Sequence, residues 1–138
     1  CIGLIFGTLV FCYTASACQI SYTLVDSRGN AQPIVPGKTI QITKGETYSI
    51  RLDFDEDHRN CKLPPDQTEF LLNDRLWEFG KTNLPLELLS PVQWQVLSSR
   101  SNLGIIEFKA VQSGTFRLEV IRDCSKEGYE QELRIQVT

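Results

Sequence analysis

The sequence lacks the features that would suggest binding to nucleic acid. It has no cluster of lysine or arginine, and its net charge over 138 residues is -3. Methionine is absent as well, and there is a single histidine. Affinity for DNA or RNA depends on neutralising phosphates with such a cluster, so we expect no nucleic-acid partner. A chain of this length can bury one hydrophobic core, which predicts one folded domain.

Signatures of enzymes are also missing. The single histidine, His58, is accompanied by neither a G-x-S-x-G motif nor a cysteine-protease signature. A catalytic nucleophile needs a base held in contact with it. Cys61 and Cys124 lack the paired C-x-x-C spacing of a zinc site. The sequence therefore predicts a protein that is not an enzyme and has no cofactor.

One acidic run resembles the start of a calcium-binding loop. Asp53, Asp55 and Asp57 have the D-x-D-x-D spacing of such a loop. Its sixth position is His58 instead of glycine, however, and its twelfth is Pro64 instead of glutamate. We interpret the run as a solvated turn and predict no metal site, with these three aspartates as weak candidates only.

The N-terminal segment has no charge from Cys1 to Val25. Its stretch "CIGLIFGTLVFC" is nearly all apolar, and Ala15-Ser16-Ala17 follows. This pattern is typical of a signal peptide cleaved before Cys18. Residues 1–17 are therefore predicted to be a signal peptide, with a retained membrane anchor as the alternative. Residues 18–138 are predicted to form a single extracytoplasmic domain that is secreted, periplasmic or membrane-anchored.

The five cysteines leave an odd number for the mature protein. Cys1 and Cys12 lie in the apolar segment, and three remain. If Cys61 and Cys124 pair, the closed loop contributes about 4 kcal/mol in the chain-entropy account, and Cys18 is left unpaired. Cys18 is then either the mature N-terminus or the attachment site of a lipid. A disulfide from Cys18 to one of the other two is the third alternative.

Alternation of apolar and polar residues dominates the rest of the chain. Such a period of two places one apolar face on each half-buried strand. It occurs in residues 20–24, 40–42, 48–54, 92–96, 106–110, 116–120 and 133–137. Turn residues separate these runs at Ser27–Asn30, Pro36–Gly37, Lys44–Gly45, Ser101–Asn102 and Ser113–Gly114. The pattern predicts an all-β, antiparallel immunoglobulin-like β-sandwich of about seven strands, preceded by the apolar segment.

Residues 66–80, "DQTEFLLNDRLWEFG", are compatible with two structures. Thr68 can cap a short helix that ends at Gly80. Alternatively, Asn73-Asp74 can form the turn of a β-hairpin. We favour the hairpin, because a sandwich needs a strand in the middle of the chain.

The stretches "GKTIQITKGETYSIRLDF" and "SGTFRLEVIRDCSKEGYEQELRIQVT" resemble the chagasin-type cysteine protease inhibitors. The resemblance covers the strand pattern of most of residues 37–138 and implies a small immunoglobulin-like sandwich that inhibits through three loops at one end. The corresponding regions here, "DEDHRNCKLPPDQTEF", "SSRSNLG" and the segment after Arg122, lack the inhibitory motifs. The resemblance also implies that Cys61 and Cys124 lie at the same end, where a disulfide would form in an oxidising compartment.

These observations predict an extracytoplasmic binding module that recognises a protein or peptide, for example a protease, through loops at one end of the sandwich. The alternatives are a chagasin-like inhibitor of cysteine proteases and a structural accessory domain of a membrane or envelope assembly. Contact with a membrane is expected only through a lipid on Cys18 or the N-terminal segment. Trp94 is expected in the core, and core packing is also favoured for Trp77, the better candidate for exposure. The candidate binding-loop residues are His58, Arg59, Pro64, Pro65, Trp77, Arg100, Asn102, Arg122 and Asp123.

Overall fold

The computed structural model describes residues 18–56, 64–98, 100–122 and 129–138, and of Cys18, Glu56 and Tyr129 it describes the backbone. Predictions for residues 1–17 and for Asp57, His58, Arg59, Cys61, Asp123 and Cys124 lie outside the described residues. Eleven strands and one 3-10 helix, Pro65–Gln67, are found within them. The strands are β1 Cys18–Asp26, β2 Ala31–Ile34, β3 Thr39–Ile42, β4 Thr47–Glu56, β5 Glu69–Leu72, β6 Arg75–Leu76, β7 Leu86–Leu88, β8 Gln93–Val96, β9 Ser101–Ala110, β10 Gly114–Arg122 and β11 Tyr129–Val137.

The strands form two sheets that pack as a sandwich. The first sheet has the order β2-β1-β4-β9-β7, with β8 also paired to β9, and the second has the order β3-β11-β10-β5-β6. Within the described chain, every pair is antiparallel except β3 with β11. The orders β1-β4-β9-β7 and β5-β10-β11 correspond to the A-B-E-D and C-F-G strands of immunoglobulin-like domains. The predicted all-β sandwich is confirmed.

The core lies between the two sheets because apolar residues alternate along their strands. Tyr48, Ile50, Leu52 and Phe54 of β4 all point inward and are buried. They face buried residues of β10 and β11 in the second sheet, including Leu118, Val120, Leu133 and Ile135. Complete burial of each such aliphatic side chain stabilises the fold by about 1.5–3 kcal/mol.

Two details of the predicted strand pattern are wrong. Ser101 and Asn102 do not form a turn; they begin β9, where they pair with Asp55 and Phe54 of β4. The fold has more than the predicted number of about seven strands, because the edge strands β2, which contains Pro33, and β7, which has three residues, are too short to show clear alternation.

The stretch 66–80 forms the favoured hairpin. β5 and β6 pair through Leu71 with Leu76 and Leu72 with Arg75. The two residues between the strands, Asn73 and Asp74, have φ angles of 48° and 67°. Two successive positive φ angles define the type I′ turn that matches strand twist, and asparagine and aspartate tolerate this conformation. Asn73 also accepts the Arg117 backbone N–H through its Oδ1 at 2.9 Å.

The two sides of the sandwich are built differently. On one, which we call the closed side, β2 leads into β3 through residues 35–38, so the chain crosses directly from the first sheet to the second. On the other, the open side, the second sheet ends in β6 and the first sheet in β7 and β8. The space between these edges holds the candidate site.

Candidate functional site

A groove of about 780 Å³ runs along the open side. One wall comes from residues 66–70 and 76–79 at the edge of the second sheet. The opposite wall comes from Leu88, Pro91, Val92 and Trp94 of the first sheet. The groove therefore lies where the two sheets fail to meet, and its lining is largely apolar and aromatic.

Trp77 forms the floor of the groove. It is buried, with 2% of its surface exposed, and its ring packs edge-on against Phe108 with centroids 5.8 Å apart. Its indole N–H donates to the Leu86 carbonyl at 2.8 Å. Trp77 therefore joins the β5–β6 hairpin to β7 of the opposite sheet. Its candidacy as an exposed binding-loop residue is wrong, and the favoured core interpretation is confirmed.

Trp94 forms the inner part of the opposite wall. It lies across from Gly104 on β9, and a Cβ atom on Gly104 would come within 2.6 Å of the indole ring. The ring also contacts Phe54 edge-on at 5.4 Å and stacks on Phe70 at 6.4 Å. Glycine at position 104 is what allows the indole to lie flat against the sheet. Trp94 is half-buried: it packs against the core, as predicted, and also lines the groove.

Leu76 and Phe79 are the exposed large apolar residues of the groove. They are 40% and 52% exposed, respectively. Sequence reasoning missed both as site residues, although they flank Trp77 in the "RLWEF" segment. The signal was the hairpin itself: because side chains alternate along a strand, burial of Trp77 directs Leu76 outward.

The rim of the groove is negatively charged. Asp66, Glu69 and Glu78 line it, and its described lining includes no lysine or arginine. Lys81 lies 3.7 Å from Glu78, but both side chains are largely exposed and such a pair contributes little. Within the described part of the chain, the carboxylates of Asp66 and Glu69 take part in no ion pair or side-chain hydrogen bond. They are available to a cationic partner.

The end of the sandwich next to the groove is held by a buried arginine. Arg122 is 1% exposed, and its guanidinium lies 5.6 Å from the centre of the Phe54 ring, a cation–π contact. Its Nη1 donates to the Pro64 carbonyl at 3.0 Å. This bond ties the residue before segment 123–128 to the residue after segment 57–63.

The other predicted loop residues are divided between the surface and the core. Pro64 is exposed, and Pro65 and Arg100 are half-buried. Asn102 and Arg122 lie on strands and are buried, so the prediction that they contact a partner from loops is corrected. Their side chains point inward because β9 and β10 continue their alternation to the end of the sandwich.

Of the three aspartates proposed as weak metal candidates, Asp53 and Asp55 lie within the described residues. The Asp53 carboxylate is 3.1 Å from the Arg51 guanidinium, and both groups are solvent-accessible. Asp55 is exposed opposite Gln19 and Ser101. Across the described ranges, no three His, Cys, Asp or Glu residues are grouped in a way that could hold a metal ion. The same ranges contain no helix with the length and apolar character needed to cross a membrane.

Comparison of the chain with protein-family models, with curated proteins and with solved structures finds no match in any of the three.

Proposed function

We propose that the protein is an extracytoplasmic binding module that holds an extended segment of a partner protein in the groove of the open side. The observation that carries the proposal is the exposure of Leu76 and Phe79 beside the half-buried Trp94. Concave apolar surface with a few polar groups at its rim is typical of binding sites. The groove is also open to solvent, which suits a chain segment better than an enclosed small molecule.

Charge defines the chemistry of the partner segment. The rim carries Asp66, Glu69 and Glu78, and two of these carboxylates have no partner in the described chain. Complementary charge steers association and disfavours wrong partners. The preferred segment therefore has a large apolar side chain for the groove and a neighbouring lysine or arginine for the rim.

The extracytoplasmic location rests on the N-terminal segment and the cysteine count. A Cys61–Cys124 disulfide would require an oxidising compartment, and the Arg122 bond to Pro64 leaves it within reach, because Cys124 is two residues from Arg122 and Cys61 is three residues from Pro64. Chain segments of two and three residues span at most about 7 and 11 Å. Intact mass under non-reducing conditions, with thiol labelling, tests this part: alkylation of both Cys61 and Cys124 would rule out their disulfide. The same mass locates the mature N-terminus and detects a lipid on Cys18.

Selection from a random linear peptide library tests groove binding directly. We expect selected peptides to lose binding to a Phe79→Asp variant, because the aspartate removes an apolar wall and places a charge against the apolar side chain that the peptide buries there. Val35→Asp is the matched control: Val35 is an exposed apolar residue, 46% accessible, on the closed side. Peptides that bind both variants as well as the unchanged protein, or a selection that enriches no peptide, would refute groove binding.

A chagasin-like inhibitor is the second candidate. One observation favours it: the ends of β4, β9 and β10 lie together, since Ser101 pairs with Asp55 and Arg122 contacts Phe54. Segments 57–63, 97–100 and 123–128 therefore all join strands at this end. Titration of papain-type proteases with the protein tests it, and unchanged protease activity at micromolar concentration would discard it.

A further inference from the structure

The strand β8 at the border of the groove is an edge without the usual protection. Native edge strands are blunted by charges, proline or very short length. Among the other edges, β2 contains Pro33, β6 has two residues and begins with Arg75, and β7 has three residues around Glu87. β3 directly follows Lys38 on the closed side. β8 reads Gln-Trp-Gln-Val, with neither a charge nor a proline.

The register of β8 shows which backbone groups face outward. The Leu97 N–H donates to the Ser101 carbonyl at 2.9 Å, and the same register pairs Gln95 with Leu103. Hydrogen-bonded pairs alternate with non-bonded pairs in an antiparallel ladder. Trp94 and Val96 therefore occupy non-bonded positions, and their N–H and C=O groups point away from β9 toward the free edge.

We propose that the segment held in the groove adds to β8 as a strand, which rests on the groove function proposed above. Its backbone would bond to the outward N–H and C=O groups of Trp94 and Val96, the mode by which extended peptides extend a sheet. Because side chains alternate across a strand, every second side chain of the added segment enters the space between the sheets. There it meets Trp94 and Phe79, and a basic residue at the end of the segment reaches Asp66 and Glu69.

This mode predicts a partner read through its backbone as well as its side chains. The preferred ligand is an extended, unstructured or terminal segment with alternating apolar residues and a basic flank. A folded helix with the same apolar residues does not satisfy it, because the backbone groups of a helix are already bonded to each other.

A pair of substitutions at Val96 separates backbone from side-chain recognition. Val96→Pro removes the outward N–H and leaves the bonds to β9 intact, since proline is tolerated on edges where its position faces solvent. Val96→Ala also removes the valine side chain but keeps the N–H. Because Val96 is 69% exposed, neither change removes core packing. We expect a groove-selected peptide to bind Val96→Pro about three- to tenfold more weakly than Val96→Ala, the effect of one lost hydrogen bond.

A second measurement works from the peptide side and does not depend on the stability of the variant. Methylation of successive backbone amides of the peptide should weaken binding at every second position, because only alternate amides face β8. Equal binding to both Val96 variants, together with no period of two in the methylation series, would overturn strand addition. Groove binding would survive that result if Phe79→Asp still abolished it. A concentration-dependent dimer that Val96→Pro dissociates would instead identify a second copy of the chain as the occupant and overturn the partner assignment.

Discussion

The two sides of the sandwich differ in how the gap between the two sheets is closed. On the closed side, the chain crosses between the sheets from Ile34 to Ile40, and cavities of about 290 Å³ remain there, one lined without aromatic residues and one that includes Tyr48. On the open side, residues 77–85 cross from β6 to β7, and beside this crossing the groove of about 780 Å³ is walled by Trp77 and Trp94. The closed side therefore leaves smaller cavities that are lined mainly by aliphatic and polar residues. On the open side, large aromatic rings bridge the gap and leave accessible apolar surface.

The largest effect on stability is expected from the removal of the Trp77 side chain. We expect Trp77→Ala to lower the free energy of unfolding by about 3–5 kcal/mol, because the ring and its bond to the Leu86 carbonyl are both lost. On the closed side, Ile34→Ala should cost about 2–3 kcal/mol, since fewer atoms are removed. Urea denaturation followed by circular dichroism measures both. A cost for Trp77→Ala below that for Ile34→Ala would contradict the role of the indole as the link between the sheets.

The next test concerns the close contact between Gly104 and Trp94. Gly104→Ala should lower the free energy of unfolding by about 1–3 kcal/mol, because the new methyl group overlaps the indole ring. Combined with Trp94→Ala, the same change should cost almost nothing, since the overlapping ring is gone. Urea denaturation of the unchanged protein, the two single variants and the double variant gives the free energies of unfolding for this double-mutant cycle.

Gly37→Ala on the closed side is the matched control for that cycle. Gly37 has a φ of 87° and open space around it, so its substitution costs about 1 kcal/mol through backbone conformation alone. That cost should be the same in the unchanged protein and in the Trp94→Ala variant. Additive costs of Gly104→Ala and Trp94→Ala would show that the ring does not depend on the glycine.

The strands could be predicted from the sequence because burial imposes alternation on each long strand separately. The pattern from Tyr48 to Phe54 and the turn at Asn73-Asp74 are local signals, and both are found as predicted. The groove could not be predicted in this way, because it depends on which strands end each sheet. Nothing local in the sequence indicates that Trp94 lies across from Gly104 or that Arg122 reaches Pro64.

A smaller effect is expected at the hairpin turn that carries the open side. Asn73→Ala should cost about 1–2 kcal/mol, because alanine resists the positive φ angle and cannot accept the Arg117 backbone N–H. Asn73→Gly is the control: it tolerates the backbone angle and loses only the hydrogen bond, about 0.5–1.5 kcal/mol. Thermal unfolding ranks the two variants. A glycine variant less stable than the alanine variant would show that the positive φ angle does not add to the cost of the alanine substitution.

The smallest effect is expected on the closed side, at the turn after β1. The Asp26 carboxylate accepts the backbone N–H groups of Asn30 and Arg28 at 2.9 Å and the Asn30 side-chain amide at 3.1 Å. The bonds from Asn30, first from its backbone and then from its side chain, lower the pKa of Asp26 below its ordinary value of 3.8. In contrast to Asp66 and Glu69 on the open side, this carboxylate accepts hydrogen bonds within the chain through both of its oxygens.

The lowered pKa of Asp26 in the folded protein determines how the stability of the protein changes with pH. The stability contributed by Asp26 is complete above 3.8 and is lost as the pH falls through the lower pKa of the folded protein. Asp26→Asn should therefore lower the melting temperature slightly at about pH 7, and the difference from the unchanged protein should shrink as the pH approaches about 2. Melting curves across this range measure it. A difference that is constant with pH would mean that the turn does not depend on the ionised carboxylate. Asp26 would then no longer be an example of an internally paired acid on the closed side, in contrast to the available acids on the open side.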